Sequence, residues 1–170
     1  QFAINAGEFI TATATDNQGN TSEFSQCKLA TPPLGDVTFS ATSYTTAESA
    51  GNRTIVVNRT GGSFGTIAVD YYTFANGATA GQDYISALGT LTFLNGEVVK
   101  SFNVSITNDT TDEFDEEFLV VLHNQSEGVL ITNNESPVTI IDDDAPPSIQ
   151  LEDVSQFEGN QGNLPFSVRV

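Results

Sequence analysis

The chain has 170 residues, which is room for one domain of ordinary size with additional flanking segments. Its formal net charge is −17, from 22 acidic and 5 basic residues, which argues against binding of DNA or RNA through a basic patch. No run of 18 apolar residues occurs, so no segment is predicted to insert directly into a membrane.

Cysteine and histidine each occur once, as Cys27 and His123. A disulfide within the chain is therefore impossible, and any partner of Cys27 lies outside it. A zinc finger is excluded for the same reason. His123 falls on a predicted strand in opposite phase to its apolar row, which predicts a partly exposed structural residue.

Residues 1–30 are predicted to be the terminal hairpin of an upstream β-domain. Phe9–Thr15 alternates between apolar and polar residues, Asp16–Asn20 is a turn cluster, and Thr21–Leu29 provides a return strand. The hairpin resembles the last one of immunoglobulin-like modules in large bacterial surface proteins. Residues 31–35, with the sequence TPPLG, are predicted to be a linker.

Residues 36–144 predict a complete domain. Short apolar runs are separated by turn signals such as Asn76-Gly77 and Asn95-Gly96. Seven strands are predicted, near Val37–Thr46, Arg53–Arg59, Thr66–Phe74, Leu88–Phe93, Val98–Thr107, Phe118–His123 and Pro137–Ile141. The predicted fold is all-β: an antiparallel, seven-stranded, immunoglobulin-like β-sandwich flanked by partial β-modules.

A second repeat is predicted after a linker at residues 145–148. The pattern of Phe39–Glu48 returns at Ile149–Glu158, so residues 149–170 are predicted to begin a second module. Two interpretations of the incomplete ends stay open. Neighbouring modules of a longer chain complete them, or copies of the chain assemble into a fibre by strand addition, with Phe9–Thr15 as the donor.

The acidic residues are predicted to gather at one end of the sandwich. If successive strands run up and down, alternate connections share an end. Eleven acids fall on the connections at one end: Glu48, Asp83, Asp109, Asp112, Glu113, Asp115, Glu116, Glu117, Asp142, Asp143 and Asp144. The other end carries only Asp36, Glu97, Glu127 and Glu135.

This concentration of charge predicts a metal site. Two carboxylates ~5 Å apart repel by roughly 3 kcal/mol at an effective dielectric near 20. Ligands that offer only oxygen select a hard cation, and flexible carboxylates favour Ca²⁺ over Mg²⁺. Each Ca²⁺ takes about six to eight oxygens, so the number of acids predicts more than one ion. The alternative is a plain, solvated acidic rim.

Several motifs occur in order: NGATAGQDY at residues 76–84, GTLTF at 89–93, NGE at 95–97, the acidic run at 108–117 and IDDD at 141–144. Together they resemble the Calx-beta domain over residues 36–144. The resemblance implies calcium ligation by Glu48, Asp83, Asp109, Glu113, Glu116, Asp142, Asp143 and Asp144, with an oxygen from the Thr111 carbonyl. Asn108 stands where exchanger domains carry an acid, which implies weaker binding or loss of one ion.

The function predicted from these features is a calcium-binding module of a repetitive extracellular or cell-surface protein, bacterial in origin. Calcium is predicted to rigidify the loops and the interdomain linker for adhesion or structural assembly. The alternative is a structural spacer or filament subunit without functional calcium. Enzymatic activity is not expected, because the carboxylates lie on loops without a Ser/His or Cys/His pair.

Overall fold

A computed structural model of the chain describes residues 9–10, 13–22, 28–29 and 31–149. Nearly all of its regular structure is β-strand. The strands in chain order are β1 (Phe9–Ile10), β2 (Lys28–Leu29), β3 (Asp36–Phe39), β4 (Tyr44–Ala47), β5 (Asn52–Thr60), β6 (Ile67–Ala75), β7 (Leu88–Phe93), β8 (Val99–Ser105), β9 (Glu116–His123), β10 (Ile131–Asn133) and β11 (Glu135–Ile141).

Two sheets form the sandwich. The four-stranded sheet has the order β10-β3-β5-β8, and the five-stranded sheet has the order β4-β11-β9-β6-β7. The predicted all-β sandwich is confirmed. Strands β1 and β2 form a separate antiparallel pair, and the predicted turn between them is closed by Asp16, whose carboxylate accepts the backbone N–H groups of Gln18 and Asn20.

Alternation along the strands places one row of each sheet in the core. The two rows predicted to face inward are buried, namely Phe102, Val104 and Ile106, and Phe118, Val120 and Leu122. Tyr84 enters the core from the connection after β6 and stacks on Phe118, with 4.2 Å between ring centroids. His123 is exposed, in the phase that the sequence predicts.

The predicted first strand, Val37–Thr46, is divided between the sheets. Strand β3 pairs with β5 in one sheet, and β4 pairs with β11 in the other. Phe39 and Tyr44 are both buried on either side of the crossing. The four residues between them are small or polar, so the chain can change sheets there without leaving the core.

The division creates two parallel pairs in a sandwich that was predicted to be antiparallel throughout. Strand β4 runs parallel to β11, and β3 runs parallel to the short strand β10, which the sequence did not predict. The other paired strands are antiparallel among the described residues. Both parallel contacts follow from the first strand lying at the side of each sheet where the last strands return.

The end of the sandwich opposite the acidic loops is organised by Arg59, which is 3% exposed. Its guanidinium donates to four backbone carbonyls: Leu34 (2.7 Å), Phe64 (2.5 Å), Gly65 (3.1 Å) and Leu94 (3.3 Å). A Cβ at Gly62 would lie 2.3 Å from the Pro33 carbonyl oxygen, so glycine permits this close approach. The second half of the predicted linker 31–35 is therefore attached to the sandwich.

Other predictions concern segments at the margins of the described ranges. The second repeat predicted at residues 149–170 lies outside them apart from Ile149, as does most of the predicted hairpin at 1–30. Strand complementation between copies depends on these segments and stays a prediction. In the described part of the chain, no helix is long and apolar enough to cross a membrane.

Candidate metal centre

The parallel pair β4–β11 begins the acidic end of the sandwich. Ala47, the last residue of β4, lies opposite Ile141, the last residue of β11. Glu48 then opens a 3-10 helix over Glu48–Ala50, and Asp142 continues from β11. Because the two strands run in the same direction, these two acids leave the sheet side by side.

The loop between β8 and β9 brings further acids to the same place. The backbone N–H of Asp109 donates to Glu48 Oε1 at 2.5 Å, which attaches this loop to the 3-10 helix. The Asp109 carboxylate in turn accepts the Thr111 N–H at 2.7 Å. The loop ends at Glu116, which pairs with Ile140 at the first position of β9.

Asp83 reaches the site from the connection between β6 and β7. Its carboxylate accepts the Thr79 N–H at 2.5 Å, and its backbone carbonyl accepts the Thr107 N–H at 2.9 Å. The next residue, Tyr84, is 1% exposed and bridges to Ile106. The buried ring therefore fixes Asp83 at the rim of the core.

The first group of carboxylates comprises Glu48, Asp109 and Asp144. One oxygen from each lies within 4.8 Å of the other two. Two ligands of one Ca²⁺ are at most about 5 Å apart, since each Ca–O distance is 2.3–2.6 Å. These three side chains are therefore spaced as ligands of a single ion.

The second group surrounds a small pocket next to the first. The pocket has a volume of about 10 Å³, room for one water-sized sphere. Five carboxylates line it together with Phe114 and Ile140: Glu48, Asp83, Glu113, Glu116 and Asp142. Glu48 belongs to both groups, and its position between them is that of a ligand shared by two neighbouring ions.

The donor set fits a cation because the site holds negative charge that no protein group balances. Asp142 Oδ1 and Asp144 Oδ2 are buried, and neither has a hydrogen-bond partner among the described residues. In those ranges the single ion pair joins Lys100 to Glu97, away from this end. Buried, unpaired carboxylate oxygens are costly. A bound cation removes that cost.

Mutual repulsion appears in the pKa values of the carboxyl groups. The hydrogen bond from the Asp109 N–H lowers the pKa of Glu48, but burial and the charges of Asp109 and Asp144 outweigh it, so the pKa is raised. Burial is the main cause of the raised pKa values of Glu113, Glu116 and Asp144, and neighbouring carboxylates add to it.

We expect the metal-free protein to be less stable at pH 7.5 than near pH 5. Groups with a raised folded-state pKa hold more protons in the folded state than in the unfolded state, so their contribution is present below the unfolded pKa, about 4, and is lost as pH rises through the folded pKa. Thermal unfolding from pH 4.5 to pH 8 in metal-free buffer measures this. A melting temperature that rises steadily over that range would contradict it.

The structure brings together seven of the nine predicted ligands: Glu48, Asp83, Asp109, Glu113, Glu116, Asp142 and Asp144. The other two, Thr111 and Asp143, belong to neither group. The Thr111 N–H is used by Asp109, and Asp143 accepts a hydrogen bond from the Ser49 hydroxyl. The Asn108 side chain donates to the Asp109 carbonyl at 3.0 Å, where it stabilises the loop.

Two residues of the site had no predicted role. Asp115 accepts the N–H of Asp142 at 3.2 Å and so attaches the segment after β11 to the loop before β9. Phe114 lines the pocket yet is 92% exposed. The sequence places both in the acidic run, but it carries no signal that separates a residue that anchors the backbone from one that offers a ligand.

The fold and this site define the class of the protein: a β-sandwich module with an oxygen-lined metal centre on its loops. The model of the Calx-beta domain family matches residues 34–144. The chain belongs to the Calx-beta family, as its motifs predicted.

Solved structures show the same fold. The apo-form Calx CBD1 domain is 34% identical with a TM-score of 0.62, and the match covers 64% of this chain and 97% of that one. A structure titled calcium binding domain CBD12 of CALX1.1 is also 34% identical, with a TM-score of 0.61 and coverage of 64% and 44%. Ca²⁺, the ion predicted from the sequence, is thus the ion that a solved relative is titled as binding.

The curated relatives are much longer proteins. Sodium/calcium exchanger 1 of Rattus norvegicus is 34% identical over 131 residues, which cover 66% of this chain and 14% of the exchanger. Sodium/calcium exchanger 3 of Homo sapiens is 34% identical over 122 residues, covering 70% and 13%. The chain therefore spans about a seventh of the length of these relatives.

Proposed function

We propose that residues 36–144 form a calcium-binding module that holds at least two Ca²⁺ ions at its acidic end. One observation carries the proposal: two adjoining groups of carboxylates share Glu48. The two unpartnered oxygens of Asp142 and Asp144 support it. A bound Ca²⁺ supplies positive charge and about six to eight coordination positions, which matches a site built only from oxygens.

The role we propose is to fix three segments of the chain relative to one another. The 3-10 helix carries Glu48, the loop before β9 carries Asp109 and Glu113, and the segment after β11 carries Asp142 and Asp144. Without neutralisation, these segments repel. With it, the segment after β11 is held against the loop, and the chain leaves the module at residues 145–148 in a defined direction. This role is non-catalytic.

The setting of the module is part of the same proposal. We place it in a larger, multidomain protein, where calcium sets the orientation of a neighbouring domain. The extracellular or cell-surface location and the adhesive role predicted from the sequence draw their support from the resemblance of residues 1–30 to bacterial surface modules. The exchangers found as curated relatives do not add support for that location.

Calorimetric titration of the metal-free chain with CaCl2 tests the proposal. We expect at least two ions per chain. Glu48→Gln should weaken both, each by at least roughly tenfold, because even residues that only support a ligand contribute that much. Glu127→Gln is the matched control: it removes one acid from an exposed position at the opposite end and should leave the titration unchanged.

The measured affinity also decides the setting. Calcium sensors bind with dissociation constants of about 10⁻⁷ to 10⁻⁵ M, whereas extracellular modules bind at about 10⁻⁴ to 10⁻³ M. A value in the lower range would refute the extracellular assignment. A titration without heat, or equal loss of binding in Glu48→Gln and Glu127→Gln, would refute the calcium site itself.

A further inference from the structure

The outer face of the five-stranded sheet carries an open cleft that lies outside the metal centre. Its volume is about 330 Å³, within the range of small-ligand sites. Side chains from three adjacent strands line it: Asp70 and Tyr72 from β6, Leu88 and Thr90 from β7, and His123 from β9. Strand register places Asp70 opposite both Thr90 and His123, and Tyr72 opposite Leu88, so these five residues form one continuous patch.

The polar groups of the cleft are held in fixed positions. Asp70 Oδ1 accepts the Thr90 hydroxyl at 2.5 Å, and Oδ2 accepts the Asn124 side-chain N–H at 2.6 Å. Each carboxylate oxygen keeps further acceptor capacity. The His123 imidazole meets the Tyr72 ring edge-on, with 5.1 Å between centroids. Neither the imidazole nor the Tyr72 hydroxyl makes a hydrogen bond among the described residues, so both are available to a ligand.

Apolar surface lies directly beside these groups. Leu88 is 80% exposed and Tyr72 is 36% exposed, which is unusual for large side chains on the regular part of a sheet. An aromatic ring beside fixed hydrogen-bonding groups complements a ligand that has C–H bonds on one face and hydroxyl groups at its edge.

We propose that this cleft binds a neutral saccharide, with a sugar ring stacked on Tyr72 and its hydroxyl groups hydrogen-bonded to Asp70 and His123. Charge selects a neutral ligand: an anion is repelled by Asp70 and by a net charge of −17. A metal ion is disfavoured because the cleft offers a single carboxylate, whose two oxygens already accept hydrogen bonds. The proposal is independent of the calcium site.

Titration of the full ¹⁵N-labelled chain with maltose, cellobiose and lactose, in saturating calcium, tests the proposal by NMR. We expect at least one of these disaccharides to shift the amide signals of Asp70–Tyr72, Leu88–Thr90 and His123. Tyr72→Ala should raise its dissociation constant by at least roughly tenfold, because the ring supplies the stacking surface. Asp70→Asn should also weaken binding, because the amide loses one acceptor oxygen.

Phe74→Ala is the matched control. Phe74 lies on the same strand, is 57% exposed and does not line the cleft, so its removal should leave saccharide binding unchanged. Tyr72→Ala and Asp70→Asn should keep the calcium titration of the parent chain, which shows that they fold. The absence of shifts with all three disaccharides would overturn the proposal. Shifts confined to the acidic loops, or binding that survives Tyr72→Ala, would overturn it as well.

Discussion

Saturating calcium is expected to stabilise the sandwich by about 5 kcal/mol over the metal-free protein. An ion that binds only the folded state contributes about 2.7 kcal/mol at a hundredfold excess over its dissociation constant, and two sites are proposed. For a domain of this size, that difference corresponds to roughly 15–20 °C in melting temperature. Thermal unfolding of one preparation, with excess calcium and with excess chelator, measures it.

The controls for this experiment separate a specific site from a general effect of charge. Magnesium at the same concentration should restore little of the lost stability, because it demands a tighter octahedral geometry. In Glu48→Gln, the gap between the calcium-bound and metal-free melting temperatures should narrow, since Glu48 serves both carboxylate groups. An identical melting curve with and without chelator, on protein shown to be free of metal, would reject the calcium module.

Arg59→Met is expected to cost roughly 4 kcal/mol of folding stability, because hydrogen bonds to a charged group contribute about 1.5–3 kcal/mol each and are not fully additive. The substitution keeps most of the side-chain volume but removes the donors to the carbonyls of Leu34, Phe64, Gly65 and Leu94. Urea unfolding at fixed calcium measures the loss.

Arg59→Lys and the calcium titration serve as the controls for this substitution. Lysine keeps the charge but lacks the planar fork that reaches several carbonyls at once, so it should recover only part of the stability. Calcium affinity should stay unchanged in both variants, because the metal centre lies at the opposite end and distant sites act independently. A loss below about 1 kcal/mol in Arg59→Met would show that the four hydrogen bonds contribute little.

Much of the sandwich was predictable because alternation with a period of two is a strong signal. Phe118, Val120 and Leu122 showed it, and all three are buried. The division of the first strand carried no such signal. Both Phe39 and Tyr44 face the core, so the row of apolar residues continues while the chain changes sheets. Strand β10 has only three residues, which is too short for a period to show.

The acidic end was predictable because connection order alone decides which loops share an end. The roles within Asp142–Asp144 needed the structure. Successive side chains of an extended segment point to opposite sides. Asp142 and Asp144 therefore turn toward the carboxylate groups, whereas Asp143 turns toward the Ser49 hydroxyl. The same rule, applied to three consecutive aspartates, would have separated Asp143 from its two neighbours.

The placement of β11 beside both β4 and β9 determines how the module responds to tension. The chain enters near Asp36 at one end and leaves after Ile141 at the other, so a pull on its flanks acts along the axis of β11. Its backbone hydrogen bonds to β4 and to β9 are then loaded in shear and bear the load together, whereas a peeled hairpin would break one bond at a time. Resistance to such a force depends on the rate of unfolding, not on the equilibrium stability.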